Sequence, residues 1–254
     1  MTRPASLLFA ALAFATAFSA SAADAGHAPS VADRGLPALA PLAALQRLAP
    51  KADPKVLALA LEATTCAAAS GAIATPRRLA VIDFSRPSTE PRLWVFDLRE
   101  QRLLYAEYVA HGRASGENLP TAFSNLDSSH QSSLGLFSTA EVYTGHNGVS
   151  MRMDGLEPGF NDRARDRAIV MHGATYVDPQ MAQRQGRLGR SYGCPAVRPA
   201  VAEGMIDALK DGQLVFAYYP DQQWLTQSRF FRCRAKYAAG GTAPPTTGGR
   251  GGSR

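Results

Sequence analysis

Cysteine is scarce in this chain of 254 residues: only Cys66, Cys194 and Cys233 are present. An odd count excludes full internal pairing, so one thiol is left over and needs a reason. Long apolar runs are also missing after the first residues. Nothing further on approaches the roughly 20 apolar residues that span a bilayer, which excludes a later transmembrane helix. The net charge of +6 comes without a clustered Lys/Arg helix or a ladder of stacking aromatics. That excludes the usual layout of a nucleic-acid binder. His111, His130 and His172 match no standard metal-ligand spacing, such as two His at i and i+4 on a helix, so no metal is expected. No internal repeat is visible.

What is present begins with an export signal. Arg3 supplies a positive start, residues 7–18 are largely apolar, and Ala20-Ser21-Ala22 has the small-x-small pattern of a cleavage site. Residues 1–22 are therefore read as a signal peptide, and the mature chain as periplasmic or secreted, without a membrane anchor. Its removal leaves 26 basic against 21 acidic residues. A basic exported protein suits an acidic polymer such as a cell wall, or an anionic lipid surface.

Residues 23–75 form a small-residue stretch followed by a helical segment. Residues 36–48 and 54–69 are rich in Ala and Leu, Pro50 should stop the first helix, and Pro54 can open the second. From residue 76 the texture changes to short apolar runs between turn residues: 79–84, 92–97, 102–110, 134–143, 149–153 and 168–171. Many short strands point to a β-sandwich or barrel rather than alternating βαβ units. A helix over 199–209, a strand over 213–219 and a short turn or helix over 221–225 complete a domain spanning 76–237. Residues 238–254 hold six Gly and two Pro and are expected to be disordered, because they cannot bury enough surface to offset ordering entropy.

The chemistry concentrates in Gly189-Arg190-Ser191-Tyr192-Gly193-Cys194-Pro195, with Met171-His172-Gly173 upstream; His172 lies 22 residues before Cys194. Cys194, in a glycine-flanked turn, is assigned as the free thiol. Cys66 and Cys233 are the natural disulfide pair, the alternative being two buried reduced thiols. A free cysteine titrates near 8.5, so only about 3% is thiolate at pH 7. An imidazole that lowered this to roughly 6.5 would raise the thiolate to about 75%. His172 ends an apolar strand, a rigid place for such a base. The Gly193 turn can aim backbone N–H groups at an oxyanion. Arg190 and Arg198 bracket the turn and would favour a thiolate or fork onto substrate carboxylates. Glu157 and Asn161 either order a loop over the site or are surface polar groups. Trp94, Phe96 and Phe137 are expected in the core.

His172-Gly173, then 17 residues, then Ser191-x-Gly193-Cys194 resembles the signature of YkuD-type L,D-transpeptidases, which remodel peptidoglycan. Further stretches resemble one branch of that family. They are Ile82-Asp83-Phe84-Ser85-Arg86-Pro87-Ser88, Val109-Ala110-His111-Gly112-Arg113, Phe123-Ser124-Asn125, Ser132-Ser133-Leu134-Gly135-Leu136-Phe137, Gly155-Leu156-Glu157-Pro158-Gly159-Phe160-Asn161 and Gly193-Cys194-Pro195-Ala196-Val197. The resemblance implies a mainly β fold, a mixed β-sandwich with the cysteine in a cleft. It implies that Cys194 attacks the third stem residue of a peptidoglycan peptide and releases D-Ala, and that an amine then resolves the thioester. His172 would be the base, Ser191 would orient it, and Gly193 would offer an oxyanion N–H. Gly173, Arg190, Tyr192 and Arg198 would contact substrate. No cofactor is implied. The broad family commonly has His where this chain has Tyr192, a poor base at neutral pH that could line the cleft. Water as acceptor would make the protein an L,D-carboxypeptidase instead. A non-catalytic wall-binding protein is the reading from another class. Oligomeric state is not legible.

Overall fold

Helix α2 (Pro54–Ala69) shows how local sequence sets the architecture. Asp53 caps it by accepting from the Lys55 N–H at 2.8 Å, and Pro54 occupies the first turn, where no N–H is needed. Its buried face carries Val56, Leu57, Ala60, Ala63, Cys66 and Ala67 at helical spacing. The computed structural model describes residues 40–231 and Cys233. The expected signal peptide, the stretch up to residue 39 and the Gly/Pro-rich tail lie outside the described residues.

Helix α1 (Leu42–Leu48) starts later than the sequence suggests, because Pro41 sits in extended conformation as its N-cap. The strands are β1 (Arg78–Asp83), β2 (Leu93–Asp97), β3 (Arg102–Glu107), β4 (Gly135–Gly145), β5 (Gly148–Gly155), β6 (Val170–Gly173), β7 (Ala196–Val197) and β8 (Leu214–Tyr218). Helices α3 (Pro179–Gln185), α4 (Pro199–Leu209) and α5 (Gln222–Gln227) lie between and after them. The mainly β, mixed architecture is as expected. The strands form one eight-stranded sheet in the order β3-β2-β1-β8-β4-β5-β6-β7. β1–β8 and β6–β7 are parallel pairs, and all other neighbours are antiparallel.

Every residue of β2 and β8 is buried. This is why they read as continuous apolar runs rather than alternating ones. α4 packs on β5, β6 and β1, and α2 on β1 and β8. One core therefore holds Leu45 and Leu57 from the helices together with Trp94, Phe96 and Phe137 from the sheet. Trp224 of α5 is fully buried against Phe216, Tyr218 and Phe231, with ring centroids 5.7, 6.1 and 5.3 Å away. Such aromatic pairs add about 0.5–1.5 kcal/mol each beyond their area. Cys66 and Cys233 are joined by a disulfide, with Cα atoms 5.6 Å apart. Among the described residues no helix is long and apolar enough to cross a membrane.

Glu157 and Asn161 are buried, not surface groups. Glu157 Oε1 accepts from the Leu136 N–H at 2.7 Å and Oε2 from the Trp224 indole N–H at 3.0 Å. Asn161 accepts from the Glu157 N–H at 2.8 Å and donates to the Leu134 carbonyl at 2.9 Å. Together they staple the loop after β5 to the start of β4 and to α5. Burial raises the Glu157 carboxyl above its usual range.

Candidate active site

The turn bearing Cys194 is built by pairing with two distant segments. On one side β7 runs parallel to β6, with His172 opposite Ala196. Carried back two positions, that register sets Cys194 beside Val170. The Val170 N–H accordingly points to the Cys194 sulfur at 3.5 Å. On the other side residues 110–113 clamp the same stretch. Ala110 N–H donates to the Ala196 carbonyl at 2.8 Å, Ser191 N–H to the His111 carbonyl at 2.9 Å, and Arg113 N–H to the Ser191 carbonyl at 2.7 Å.

Between these clamps the chain makes a sharp turn. Gly193 has φ +123°, a conformation L side chains rarely adopt. A Cβ there would meet the Gln131 carbonyl oxygen at 2.8 Å and Ile169 Cδ1 at 3.0 Å. Ser191 Oγ closes the turn: it accepts from the Gly193 N–H at 3.0 Å and donates to the Cys194 carbonyl at 2.7 Å. Ser132 Oγ braces it from outside, accepting from the Gly112 N–H at 3.0 Å and donating to the Gly193 carbonyl at 3.0 Å.

Cys194 is the free thiol and is half-buried. Its sulfur approaches the Ala168 carbonyl at 3.7 Å. His172 is buried, and its Nδ1 lies 2.9 Å from the Gly173 carbonyl. A carbonyl only accepts, so Nδ1 carries the proton and Nε2 keeps the free lone pair. No hydrogen bond joins His172 to Cys194 among the described residues. Burial pushes the Cys194 thiol up, against weaker opposing pulls from the Val170 N–H, Arg167 and its own amide. Burial also pushes His172 down. Both effects disfavour a standing thiolate–imidazolium pair. The lowered thiol value considered from sequence is therefore reversed in direction, and the resting pair is neutral.

Several expected roles change with the geometry. Ser191 makes its hydrogen bonds to the turn, not to His172, and the Gly173 carbonyl holds the ring instead. The Gly193 N–H is engaged by Ser191 Oγ, so the Cys194 amide is the donor left beside the sulfur. Arg190 does not reach into the site: it donates to the Gly116 carbonyl at 2.8 Å and pairs with Glu117 at 2.7 Å. Arg198 forks onto Glu107, with its Nε 2.8 Å from Oε2. Both arginines are neutralised by acids remote in sequence, which leaves neither free for a substrate carboxylate.

Tyr192 is exposed, with 63% of its surface accessible. Arg113 lies over its ring at 4.5 Å, and the His130 ring meets it at a tilt of 58° with centroids 4.6 Å apart. His111 is buried and structural. Arg92 donates to its Nδ1 at 2.7 Å, and its Nε2 faces the Gly116 carbonyl at 3.3 Å. Burial and then the Arg92 charge push its pKa down to about 3. Arg92, fully buried, is itself lowered to about 9 by burial. Among the described residues no cluster of three or more His, Cys, Asp or Glu could hold a metal ion.

Arg167, not singled out from sequence, is half-buried beside the turn and interacts electrostatically with Cys194. Its four hydrogen-bond partners come from residues 124–133, so no local pattern announces it.

A family model described as the L,D-transpeptidase catalytic domain matches residues 48–218. No curated protein matches the chain. Among solved structures, an L,D-transpeptidase from Mycobacterium smegmatis is 15% identical with a TM-score of 0.35; the match covers 56% of this chain and 59% of that one. A helical cell shape determining protein from Campylobacter jejuni is 11% identical with a TM-score of 0.37, covering 57% and 48%. An L,D-transpeptidase from Xylanimonas cellulosilytica is 16% identical with a TM-score of 0.33, covering 70% and 92%. The chain thus spans about half to three-fifths of the first two of these structures.

Proposed function

Because the chain belongs to the L,D-transpeptidase catalytic domain family, we propose that it is an exported cysteine acyltransferase acting on peptidoglycan stem peptides, with Cys194 as nucleophile. The observation that carries this reading is the free, half-buried Cys194 held in a positive-φ turn beside the strand that carries His172.

The thiol attacks the L-centre carbonyl of the third stem residue, and its proton passes to Nε2 of His172. Since burial keeps both groups neutral at rest, proton transfer accompanies attack. The oxyanion is received by the Cys194 amide. The carbon–nitrogen bond to D-Ala then breaks, and His172 returns the proton to the departing amine. An acceptor amine attacks the thioester, gives a proton to His172, and displaces the sulfur, which recovers its proton. Gly173, through its carbonyl, holds the imidazole as the Nδ1–H tautomer throughout. The exposure of Tyr192 supports a role for its ring as a surface on which a substrate chain rests. Residues 1–22 serve export, which puts the enzyme with its wall substrate.

The test is incubation of the mature protein with tetrapeptide muropeptides and mass analysis of the products. Cross-linked dimers with loss of D-Ala support transfer, whereas trimmed monomers alone make the enzyme a carboxypeptidase. Cys194→Ala should abolish both the acyl-enzyme and all product; turnover surviving in that variant would falsify the assignment.

A further inference from the structure

Arg167 is held unlike the salt-bridged arginines around the site. Arg165, two residues earlier, is neutralised by Glu141 and Asp154; Arg187 and Arg190 pair with Glu117, and Arg198 with Glu107. Arg167 forms no ion pair among the described residues. It donates instead to four neutral oxygens: the Ser124 carbonyl at 2.6 Å, Ser133 Oγ, Ser129 Oγ at 3.0 Å and the Gln131 carbonyl at 2.7 Å. A planar guanidinium can satisfy so many acceptors at fixed angles, whereas an ammonium cannot.

The clamp sets the charge against the nucleophile turn. A Cβ built on Gly193 would lie 3.5 Å from Arg167 Nη2. The residues just after Arg167 touch the sulfur directly, through the Ala168 carbonyl at 3.7 Å and the Val170 N–H at 3.5 Å. Ala168 adopts φ +52°, unusual for a residue with a side chain. Such conformations persist where surrounding contacts over-determine them, and they gather at functional sites.

We propose that Arg167 is a positioning residue: a fixed, uncompensated cation that stabilises the negative charge Cys194 acquires when it gives up its proton. This deepens the acyl-transfer reading and rests on it. The other groups facing the pair do not replace this charge. Asp127 and Arg163 act on Arg167 with opposite signs. Tyr176 also senses the sulfur, but burial raises its hydroxyl above the usual range and keeps it neutral. His172 is neutral at rest, and the Val170 N–H is a dipole only.

The experiment is the pH dependence of Cys194 alkylation by iodoacetamide in the mature, non-reduced protein, where the Cys66–Cys233 bridge leaves one thiol. Arg167→Gln should move the titration midpoint up by about one unit, a roughly tenfold loss of thiolate at a given pH. Arg167→Lys should move it less, because the charge remains while the fork is lost. Asp127→Asn should leave it unchanged or lower it. A folded Arg167→Gln with the wild-type midpoint overturns the proposal. Should Arg167→Gln fail to fold, Arg167→Lys and Ser129→Ala decide, since each loosens the clamp. An upward shift in either supports the proposal, and unchanged midpoints in both overturn it. Alkylation needs no peptidoglycan, so this result stands apart from whether the acyl-transfer assignment survives the Cys194→Ala test.

Discussion

Replacing Gly193 by alanine would test the geometry of the Cys194 turn most directly. The backbone there has φ +123°, and a residue with a side chain held in that region costs about 1–3 kcal/mol. The new Cβ would also come within 2.8 Å of the Gln131 carbonyl oxygen and 3.0 Å of Ile169 Cδ1. The Ile169 methyl can rotate away. The Gln131 carbonyl cannot, because Arg167 donates to it at 2.7 Å. Relief must therefore come from the turn, which Ser191 and Ser132 hold by hydrogen bonds of 2.7 and 3.0 Å. Together these effects should destabilise the fold by roughly 2–4 kcal/mol. For a chain of this size that lowers the melting temperature by about 5–15 °C. A turn displaced by about 1 Å should also lower acyl transfer on the order of a hundredfold in the protein that remains folded. Urea denaturation and muropeptide turnover measure the two effects separately. If Gly193→Ala keeps wild-type stability within about 0.5 kcal/mol and full turnover, the description of this turn as sterically closed is wrong.

Three further outcomes are expected. His111 has a folded pKa of about 3 against an ordinary value of 6.5, so the unfolded chain binds the extra proton between those values. Stability should therefore fall as pH drops from about 6.5 towards 3, by about 5 kcal/mol. His111→Gln should remove that one-proton slope in urea titrations, and parallel slopes would refute it. Reducing the Cys66–Cys233 bridge, which closes a separation of 167, should cost at most about 5 kcal/mol. It should leave the Cys194 alkylation rate unchanged below the new melting temperature, a comparison made with the Cys66→Ala/Cys233→Ala protein. Ser191→Ala should lose about 1–3 kcal/mol by orphaning the Gly193 N–H. It should slow acyl transfer without changing the His172 tautomer seen by NMR; a changed tautomer would restore Ser191 as the group that orients His172.

The residues that speak for themselves in the sequence are those whose role is local. Pro54 and Pro199 open α2 and α4 at the expected places because proline suits a first helical turn. The buried strands β2 and β8 read as apolar runs because both faces are covered. α3 was not foreseen: its seven residues are mostly Gln, Arg and Met, and only Ala182 is buried. β7 was missed because two residues leave no period to detect. In the site, the glycines around Cys194 and after His172 mark where chain and chemistry meet. Arg190 and Arg198 misled for a physical reason, since their carboxylate partners lie 73 and 91 residues away. Arg167 stayed hidden because its four acceptors come from a stretch that folds back over it. Burial likewise has no sequence signature, so the reversed direction at Cys194 needed coordinates.

The placement of β8 bears on how the folded protein comes into being. The strands β1 to β3 form one block and β4 to β7 another, and within the sheet only β8 hydrogen-bonds to both. Yet β8 is the last of the described strands in chain order. Before residue 218 has emerged, a nascent chain can join the two blocks only through α4 and bridges such as Arg198–Glu107, with the facing sheet edges of β1 and β4 unpaired. The continuous sheet must then close in a late step, and a chain cut short before that keystone would leave both edges open to neighbours.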